Sequence, residues 1–318
     1  MEVILGVDVS SIDLETNLGS DSLKLSGNKF ENNDSGCKKL IKYATKNGVT
    51  LIVMEATGGY EQRLAKCAFK AGFQVKVVNP AQVRNFAKGI GKFAKTDRID
   101  AYVIARFAQI VELHEIYSKT EEEMELTQLI KRRSSLMKVV EAEKNRKNLA
   151  EEIVKKSIER VLKHLENEIR LIEKEMDKLL DKSNSLRQKC DIICSQKGVG
   201  KLTALTLLAL IPEIGNLNRK QVASLAGLAP ISRDSGKMKG KRFISGGRFG
   251  TRRALYMPAW VAVQRDEEIK LFYEKLISKG KKPKVAIVAV MRRLLVKING
   301  TLSDYYEKHL ETAFGDTR

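Results

Sequence analysis

The chain has 318 residues, enough for two domains or for two domains joined by a helical segment. Apolar residues make up 43% of it, which excludes wholesale disorder, and 58 Lys and Arg against 39 Asp and Glu give a net charge of +19. Such a basic excess is typical of proteins that bind nucleic acid, with an anionic membrane surface as the main alternative.

The apolar runs argue against the membrane alternative. The longest of them, residues 202–212, is about half of the ~20 residues that a spanning helix needs. The chain starts with Met-Glu and a short β-like run, without a basic leader or an apolar signal core. We therefore expect a soluble intracellular protein.

The first hundred residues alternate strand-like and helical patterns. Residues 49–56 (VTLIVMEA) are almost continuously apolar, which is typical of a strand buried on both faces. Residues 11–32 are polar and predict one or two weak hairpin strands. The remaining strand patterns lie at 1–10 and 73–80, and the helical patterns at 35–48, 60–72 and from about 97 to 110. This order predicts an α/β domain with a mixed sheet.

Four carboxylates mark the points where these elements end or begin. Asp8 follows the first apolar run and Glu55 follows the second, and ligands collect beyond the carboxyl ends of strands in open α/β sheets. Asp97 and Asp100 lie three residues apart on one face of a helix start, where an Asp could alternatively serve as the N-cap. Four converging acids in so basic a chain predict a site for Mg²⁺ (or Mn²⁺) that acts on phosphodiesters.

Residues 121–190 lack Gly and Pro and are rich in Glu, Lys, Leu and Ile. The apolar positions from Ile158 to Leu179 alternate spacings of three and four, which is a heptad-like stripe. The pattern predicts a coiled-coil or helical-hairpin arm for self-association, and the alternative is a helix that packs on its own domain.

The last part of the chain is predicted to be a helical domain that binds a polyanion. Residues 195–260 contain twelve Lys or Arg and two acids, and they begin with a Gly-Val-Gly turn before an apolar helix. This turn resembles the second half of a helix-hairpin-helix, in which backbone amides hold a DNA phosphate. Cys190 and Cys194 precede it, and we expect structural thiols there rather than a zinc site.

A second constellation lies in the basic, glycine-rich segment 232–260, which surrounds Ser232, Ser235 and Ser245. Backbone amides of such a loop and neighbouring guanidinium groups suit a phosphorane-like transition state. The alternative is a loop that clasps the DNA backbone without chemistry, because no general base is visible beside it.

Six sequence blocks in order resemble the DEDD-type insertion-sequence transposases of the IS110 group, with the greatest similarity to its IS-eleven-eleven branch. The blocks are GVDVS, MEATGGYEQRLA, VVNPAQVRNFAKGIGKFAKTDRIDA, GVGKLTALTLLALIPEIG, LAGLAPISRDSGKMKGKR and GGRFGTRRALYMPA. The resemblance implies an α/β RuvC-like (RNase H-like) domain over 1–118, a coiled-coil arm over 119–190 and a mainly helical transposase domain over 191–318. It also implies a prokaryotic, nucleoid-associated cytoplasmic protein.

The resemblance further implies the chemistry and the partners. Ser235 would be the nucleophile that forms a covalent phosphoserine with double-stranded DNA, with Ser245 as the second candidate, and Asp8, Glu55, Asp97 and Asp100 would bind the metal. A structured guide RNA and a homo-oligomer (dimer or tetramer) are expected partners. The residues expected to contact nucleic acid are Lys197, Lys201, Arg233, Lys237, Lys239, Lys241, Arg242, Arg248, Arg252 and Arg253.

Three other functions fit parts of the pattern. A Holliday-junction-type endonuclease of the same fold would use water in place of the serine. An actin-like phosphotransferase would need further phosphate loops that the sequence lacks, and a non-catalytic nucleic-acid-binding protein would tolerate Asp8→Asn. Because the acids and Ser235 are more than 130 residues apart, we expect them to meet by docking of domains or between subunits.

Overall fold

A computed structural model describes residues 3–19, 27–94, 96–111, 120–232, 234–235, 240, 242–248 and 250–315, with side chains up to 308. The chain divides into two compact units, Met1–Ile116 and Tyr117–Arg318. The boundaries expected at 118 and 190 stay predictions. Within the described ranges, no helix is both long and apolar enough to cross a bilayer.

The first unit is built on a five-stranded mixed sheet. Its strands are β1 (Ile4–Val9), β2 (Asp13–Gly19), β3 (Lys29–Glu31), β4 (Leu51–Glu55) and β5 (Gln74–Val78), in the order β3-β2-β1-β4-β5. The first three strands pair antiparallel, and β4 and β5 extend the sheet in parallel with β1. This order and these directions confirm the expected RNase H-like fold, including the weak hairpin strands.

Helices cover both faces of this sheet. They are α1 (Asp34–Lys46), α2 (Glu61–Lys70), α3 (Pro80–Gly89) and α4 (Asp97–Ile110). One core lies between α1, α2 and one face, with Leu5, Leu14 and Leu40 fully buried. A second core joins α3 and α4 to the other face, with Val53 and Ile104 at its centre. The sequence pattern predicts no helix where α3 lies.

The contact between α4 and β1 depends on a glycine. A Cβ atom on Gly6 would lie 2.4 Å from the carbonyl oxygen of Ala101 and 2.6 Å from the amide nitrogen of Ala105. The helix backbone therefore rests directly on β1. On β2, a Cβ atom on Gly19 would lie 2.8 Å from the side chain of Gln109. Because Gly19 pairs with Ile4, α4 runs antiparallel to β1, with its N-terminus towards the carboxyl end of that strand.

The second unit begins with a helical hairpin of α5 (Glu121–Leu149) and α6 (Glu152–Lys182). The ion pairs Arg133–Glu173 and Lys147–Glu159, both at 2.7 Å, show that the helices run antiparallel. Leu136, Val140, Ile158, Leu162 and Ile169 form the seam of the hairpin. The structure thus has the predicted helical hairpin, whereas supercoiling and self-association stay predictions.

The rest of the second unit packs around the base of this hairpin. Its elements are α7 (Asn184–Cys194), α8 (Lys201–Leu210), α9 (Arg219–Leu225), β6 (Pro230–Ile231), β7 (Phe243–Ile244), α10 (Thr251–Arg265), α11 (Glu267–Ser278) and α12 (Pro283–Gly315). Leu126 of α5 and Met176 of α6 lie in one core with Leu207 of α8 and Leu294 of α12. The hairpin base is therefore an integral part of this unit.

Candidate active site

Asp8 and Glu55 lie side by side on the sheet. Strands β1 and β4 are parallel, and Val7 is the register partner of Met54, so the next residues along the two strands, Asp8 and Glu55, are level with each other. Adjacent strands lie about 4.8 Å apart, and level residues point to the same face. That face is the one covered by α3 and α4, because Asp8 shares the orientation of Ile4 in the α3–α4 core.

The row of charges continues across two more strands. Glu15 of β2 is the register partner of Asp8, and Lys29 of β3 is the partner of Glu15. Lys29, Glu15, Asp8 and Glu55 thus form one row over four strands. We call the sheet end that carries Asp8, Glu15 and Glu55 the acidic edge. Sequence reasoning missed Glu15 and Lys29, although the alternation of Asp13, Leu14 and Glu15 was a signal for a strand with an acidic face.

The N-terminus of α4 brings the other two predicted acids to this end of the sheet. The Oγ1 atom of Thr96 accepts a hydrogen bond from the Ile99 amide at 3.3 Å, so Thr96 is the N-cap and Asp97 and Asp100 occupy the first turn. The pKa of Lys29 is raised by its hydrogen bond to Asp13 and by the charges of Asp13, Glu15 and Asp97. The antiparallel course of α4 places Asp97 and Asp100 towards the sheet end that carries this charge row.

The donor atoms at the acidic edge suit a hard divalent cation, which prefers carboxylate oxygens. The side chains at the acidic edge are not arranged as a set of metal ligands. Among the residues with described positions, no group of three or more His, Cys, Asp or Glu side chains is placed to hold a metal ion. Asp8, Glu55 and Asp100 each have other interaction partners. The backbone therefore brings the four acids to one end of one face of the sheet, and a metal site there stays a prediction.

The two candidate serines lie on a hairpin in the second unit. Strands β6 and β7 pair antiparallel, with Pro230 opposite Ile244. Ser235 is exposed in the connecting loop, and Ser245 is exposed directly after β7. The Oδ1 atom of Asp234 accepts a hydrogen bond from the Gly240 amide at 3.0 Å. The predicted contacts Arg233, Lys237, Lys239 and Lys241 lie outside the described residues.

Two of the predicted DNA-contacting arginines hold the base of this hairpin. Both terminal nitrogens of Arg248 donate to Glu213, at 2.6 and 2.5 Å, and Nη1 also donates to the Leu210 carbonyl at 2.8 Å. Arg252 donates to the carbonyl oxygens of Gly227 and Gly246 at 3.0 and 2.7 Å. Each guanidinium group is therefore already engaged in a structural contact, which sequence spacing could not reveal.

The other predicted contacts are on the surface. Lys201 forms an ion pair with Asp177 at 2.5 Å, and Arg253 lies 4.0 Å from Glu141. Lys197 and Arg242 are exposed. An exposed ion pair of this kind stabilises the fold by about 1 kcal/mol or less, so its basic side chain can readily leave the carboxylate and bind a phosphate. The contact roles of all four residues stay predictions.

The Gly-Val-Gly turn joins α7 to α8, as the helix-hairpin-helix resemblance requires. Gly198 has a φ of +91°, and a Cβ atom there would lie 2.7 Å from the Pro258 carbonyl oxygen. Close packing on α10 thus explains this glycine without reference to a ligand. Gly200 is the N-cap of α8, and both it and Lys201 are exposed.

The four cysteines are free thiols. Of the two expected structural thiols, Cys190 is buried and Cys194 is half-buried, and Cys37 is buried and Cys67 half-buried in the first unit. Burial raises the pKa of Cys190 to about 12 and that of Cys37 to about 11. Such thiols are poor nucleophiles at neutral pH because they stay protonated.

Comparison with known families gives two matches along the chain. A family model described as "Transposase", and labelled for the DEDD transposases of IS110, matches residues 5–150. A second model, described as "Transposase IS116/IS110/IS902 family", matches residues 190–274. The first match contains the acidic edge, and the second contains the serine hairpin.

Individual proteins are similar over most of the chain. The pilin gene-inverting proteins of Moraxella lacunata and Moraxella bovis are each 31% identical over 274 residues, which cover 84% of this chain and 85% of theirs. A protein of insertion element IS900 from Mycobacterium paratuberculosis is 27% identical over 159 residues, covering 48% of this chain and 40% of that protein.

Solved structures of Thermus thermophilus RuvC also match. One is 18% identical, covers 36% of this chain and 85% of RuvC, and has a TM-score of 0.25. A second structure, of the same protein with a Holliday junction substrate, is 14% identical, covers 37% of this chain and 86% of that chain, and has the same TM-score of 0.25.

Proposed function

The chain belongs to the IS116/IS110/IS902 family of transposases, and from this premise we propose that it cuts and rejoins DNA at the ends of a mobile element through a covalent phosphoserine on Ser235. The observation that carries the cutting step of this proposal is the level placement of Asp8 and Glu55 at the carboxyl ends of two parallel strands, and the serine step rests on the resemblance to the family. The pilin gene-inverting relatives support it, since inverting a gene requires strands to be cut and rejoined.

The four acids would hold one or two Mg²⁺ ions, or Mn²⁺. When bound, the cation would stabilise negative charge on the attacked phosphodiester. Asp8 and Glu55 would supply ligands from the sheet, and Asp97 and Asp100 would supply them from the first turn of α4. Support comes from the shared sheet end and from the donor type, and the metal affinity itself is the quantity to measure.

Ser235 would carry the strand between cutting and rejoining. Its hydroxyl oxygen attacks the phosphorus, a Ser–O–P bond forms, and the P–O bond to the leaving deoxyribose breaks. The serine proton passes to the departing hydroxyl group. The hydroxyl of another strand then attacks the phosphoserine and releases the serine with its proton restored. Because each step exchanges one phosphoester for another, rejoining needs no external energy.

A structured guide RNA and self-association complete the proposal. The net charge of +19 would accommodate RNA as well as DNA. The α5–α6 hairpin would serve as the contact between subunits of a dimer or tetramer. Both features rest on the resemblance of the sequence to its family and on charge.

The proposed function is tested with purified protein, Mg²⁺ and DNA that carries the element ends, with and without RNA that copurifies from cells. We expect joined strands and a protein–DNA adduct that survives denaturation, and both should vanish with Ser235→Ala. A Holliday-junction-type endonuclease of the same fold would instead leave cut, unjoined DNA, and Ser235→Ala would cut normally.

A further inference from the structure

Two apolar side chains project into solvent next to the acidic edge. Ile12 is 71% exposed and Tyr60 is 55% exposed. Ile12 lies in the turn that follows β1, four residues after Asp8, and Tyr60 lies in the loop that follows β4, five residues after Glu55. Since β1 and β4 are parallel neighbours, both loops leave the same end of the sheet.

The turn that presents Ile12 is fixed by the residue at its start. The Oγ atom of Ser10 accepts hydrogen bonds from the amides of Ile12 and Asp13, at 3.2 and 2.8 Å. The Ser10 amide also donates to the Asp13 carbonyl at 2.9 Å. The Ile12 side chain is therefore held outward by a closed, hydrogen-bonded turn.

The loop that presents Tyr60 is folded around a single carboxylate. An oxygen of Glu61 accepts hydrogen bonds from the Thr57 amide at 3.1 Å, the Thr57 hydroxyl at 3.0 Å and the Gly59 amide at 2.8 Å. Gly58 and Gly59 have φ angles of +80° and +135°, which a residue with a Cβ atom rarely adopts. The loop backbone is thus fixed while the Tyr60 ring stays in solvent.

Asn32 joins the two loops. The backbone amide of Asn32 donates to the Ile12 carbonyl at 2.6 Å. Its side-chain Nδ2 atom donates to the Tyr60 carbonyl at 3.1 Å and to the Ser10 carbonyl at 2.8 Å. Asn32 is only 6% exposed. One buried residue therefore sets the distance between the backbones that carry Ile12 and Tyr60.

This arrangement is that of a prepared contact surface. Single exposed apolar side chains are common on proteins and need no explanation. Here, however, two of them stand on fixed loops that share one buried anchor, beside a row of carboxylates. Apolar side chains fixed in advance lose little conformational entropy when they bind a partner.

We propose that Ile12 and Tyr60 bind the DNA bases next to the phosphodiester that is cut, with Ile12 inserted between two base steps and Tyr60 stacked on the base that is freed. The inference rests on the proposed function, which puts DNA at the acidic edge. Strands that change partners must separate at the cut, and an aliphatic wedge with an aromatic platform is a common means of opening and holding bases.

DNA opening is measured with the Asp8→Asn protein, which we expect to bind DNA without cutting it. Permanganate oxidation of thymines around the cut site reports which bases are open. We expect reactive thymines with Asp8→Asn alone and protection when Ile12→Ala is added. The matched control is Phe69→Ala, since Phe69 is 60% exposed but lies in the last turn of α2, far from the acidic edge. It should leave the reactivity unchanged.

Base binding is measured by strand exchange on paired DNA and on DNA with two mismatches at the cut. Ile12→Ala and Tyr60→Ala should each slow exchange on paired DNA by on the order of tenfold to a hundredfold. Mismatches should restore most of the Ile12→Ala loss, because the bases are already open. Tyr60→Phe should retain exchange, since its ring can still stack.

The two proposals fail in different ways. If the wild-type protein cuts and rejoins DNA while Ile12→Ala and Tyr60→Ala behave as Phe69→Ala does, the base-binding proposal is wrong and the proposed function stands. The base-binding proposal is also wrong if Ile12→Ala and Tyr60→Ala lose self-association but open DNA normally. Ile12 and Tyr60 would then bind another copy of the protein, and the proposed function would still stand. If the wild-type protein neither cuts nor rejoins DNA, the proposed function is wrong.

Discussion

Asp8 on β1 and Glu55 on β4 stand level on neighbouring parallel strands, on the face that α4 covers. The parallel pairing of the two strands fixes the backbone positions of both residues, since each lies on a strand and not in a loop. Since Glu15 is level with Asp8 on the other side, Asp8 is the central acid of a row across the sheet. Asp8 is therefore the one of these three acids with a carboxylate residue level with it on both neighbouring strands.

Replacing Asp8 with Asn or Glu55 with Gln should abolish strand cutting while DNA binding is retained. A metal ion supplies several kcal/mol of charge stabilisation, so the rate should fall on the order of 10³-fold. Cutting and gel-shift assays on the same preparations measure both properties. Asp34→Asn is the control, because Asp34 is an exposed carboxylate on α1, which covers the opposite face. Equal losses in all three variants would contradict a special role for the edge.

Gly6→Ala should destabilise the first unit and displace the N-terminal turn of α4. The added methyl group would meet backbone atoms of Ala101 and Ala105 at 2.4 and 2.6 Å, so the helix must shift. Overpacking of this kind costs about 1–3 kcal/mol. Calorimetric melting is the measurement. Gly89→Ala serves as the control, since Gly89 is helical with open space around it and should be neutral or slightly stabilising. Similar melting of the two variants would refute the close contact.

Lys189→Met should destabilise the second unit strongly. Lys189 and Glu123 form an ion pair at 3.1 Å with side chains only 10% and 3% exposed, so the substitution removes the cation beside a buried carboxylate. The expected cost in unfolding free energy is about 3–5 kcal/mol. Adding Glu123→Gln should recover much of it. Lys178→Met breaks the exposed Lys178–Glu175 pair and should change stability by less than about 1 kcal/mol in urea unfolding. No recovery in the double variant would contradict the pairing.

Alkaline pH should destabilise the protein through its buried thiols. The pKa of Cys190 is raised from 9.0 to about 12 in the folded chain, because burial disfavours the thiolate. The stability that Cys190 contributes as a protonated thiol is fully present below pH 9.0, the pKa of this thiol in the unfolded chain. That stability is lost as the pH rises from 9.0 to about 12, because the unfolded chain then releases the proton more readily than the folded chain. The loss for one thiol is at most about 1.4 kcal/mol per pH unit. Urea midpoints between pH 8 and 10 should fall less steeply for Cys190→Ala. Parallel curves would show that Cys190 makes no contribution.

Arg242 and Arg248 should respond differently in DNA binding. Removing a phosphate contact reduces the slope of log affinity against log salt by about one, which we expect for the exposed Arg242→Ala. Arg248→Ala should leave the slope unchanged and lower stability instead, because it strands the partly buried Glu213. Fluorescence titrations between low and moderate salt give both slopes. A reduced slope for Arg248→Ala would show that Arg248 leaves Glu213 to bind DNA.

The positions of the acids could be predicted from sequence because strand ends and a helix start are local patterns. The positions of Glu15 and Lys29 beside Asp8 could not be predicted, since they depend on the pairing register of two short, polar strands. The ion pair of Arg248 could not be predicted for a related reason: its partner Glu213 is 35 residues away, and only the tertiary structure brings the two together. The sequence also could not show that the carboxylates share one sheet end without closing around a metal position.

Ser235 is proposed to carry the DNA strand between cutting and rejoining. The most direct test of this role is to trap the adduct formed with Mg²⁺ and element-end DNA, digest it, and identify the modified peptide by mass spectrometry. We expect a nucleotide phosphate on Ser235 and no adduct in Ser235→Ala. A nucleotide on Ser245 or on any other residue would show that Ser235 does not carry the strand. Complete cutting and rejoining without an adduct would show the same.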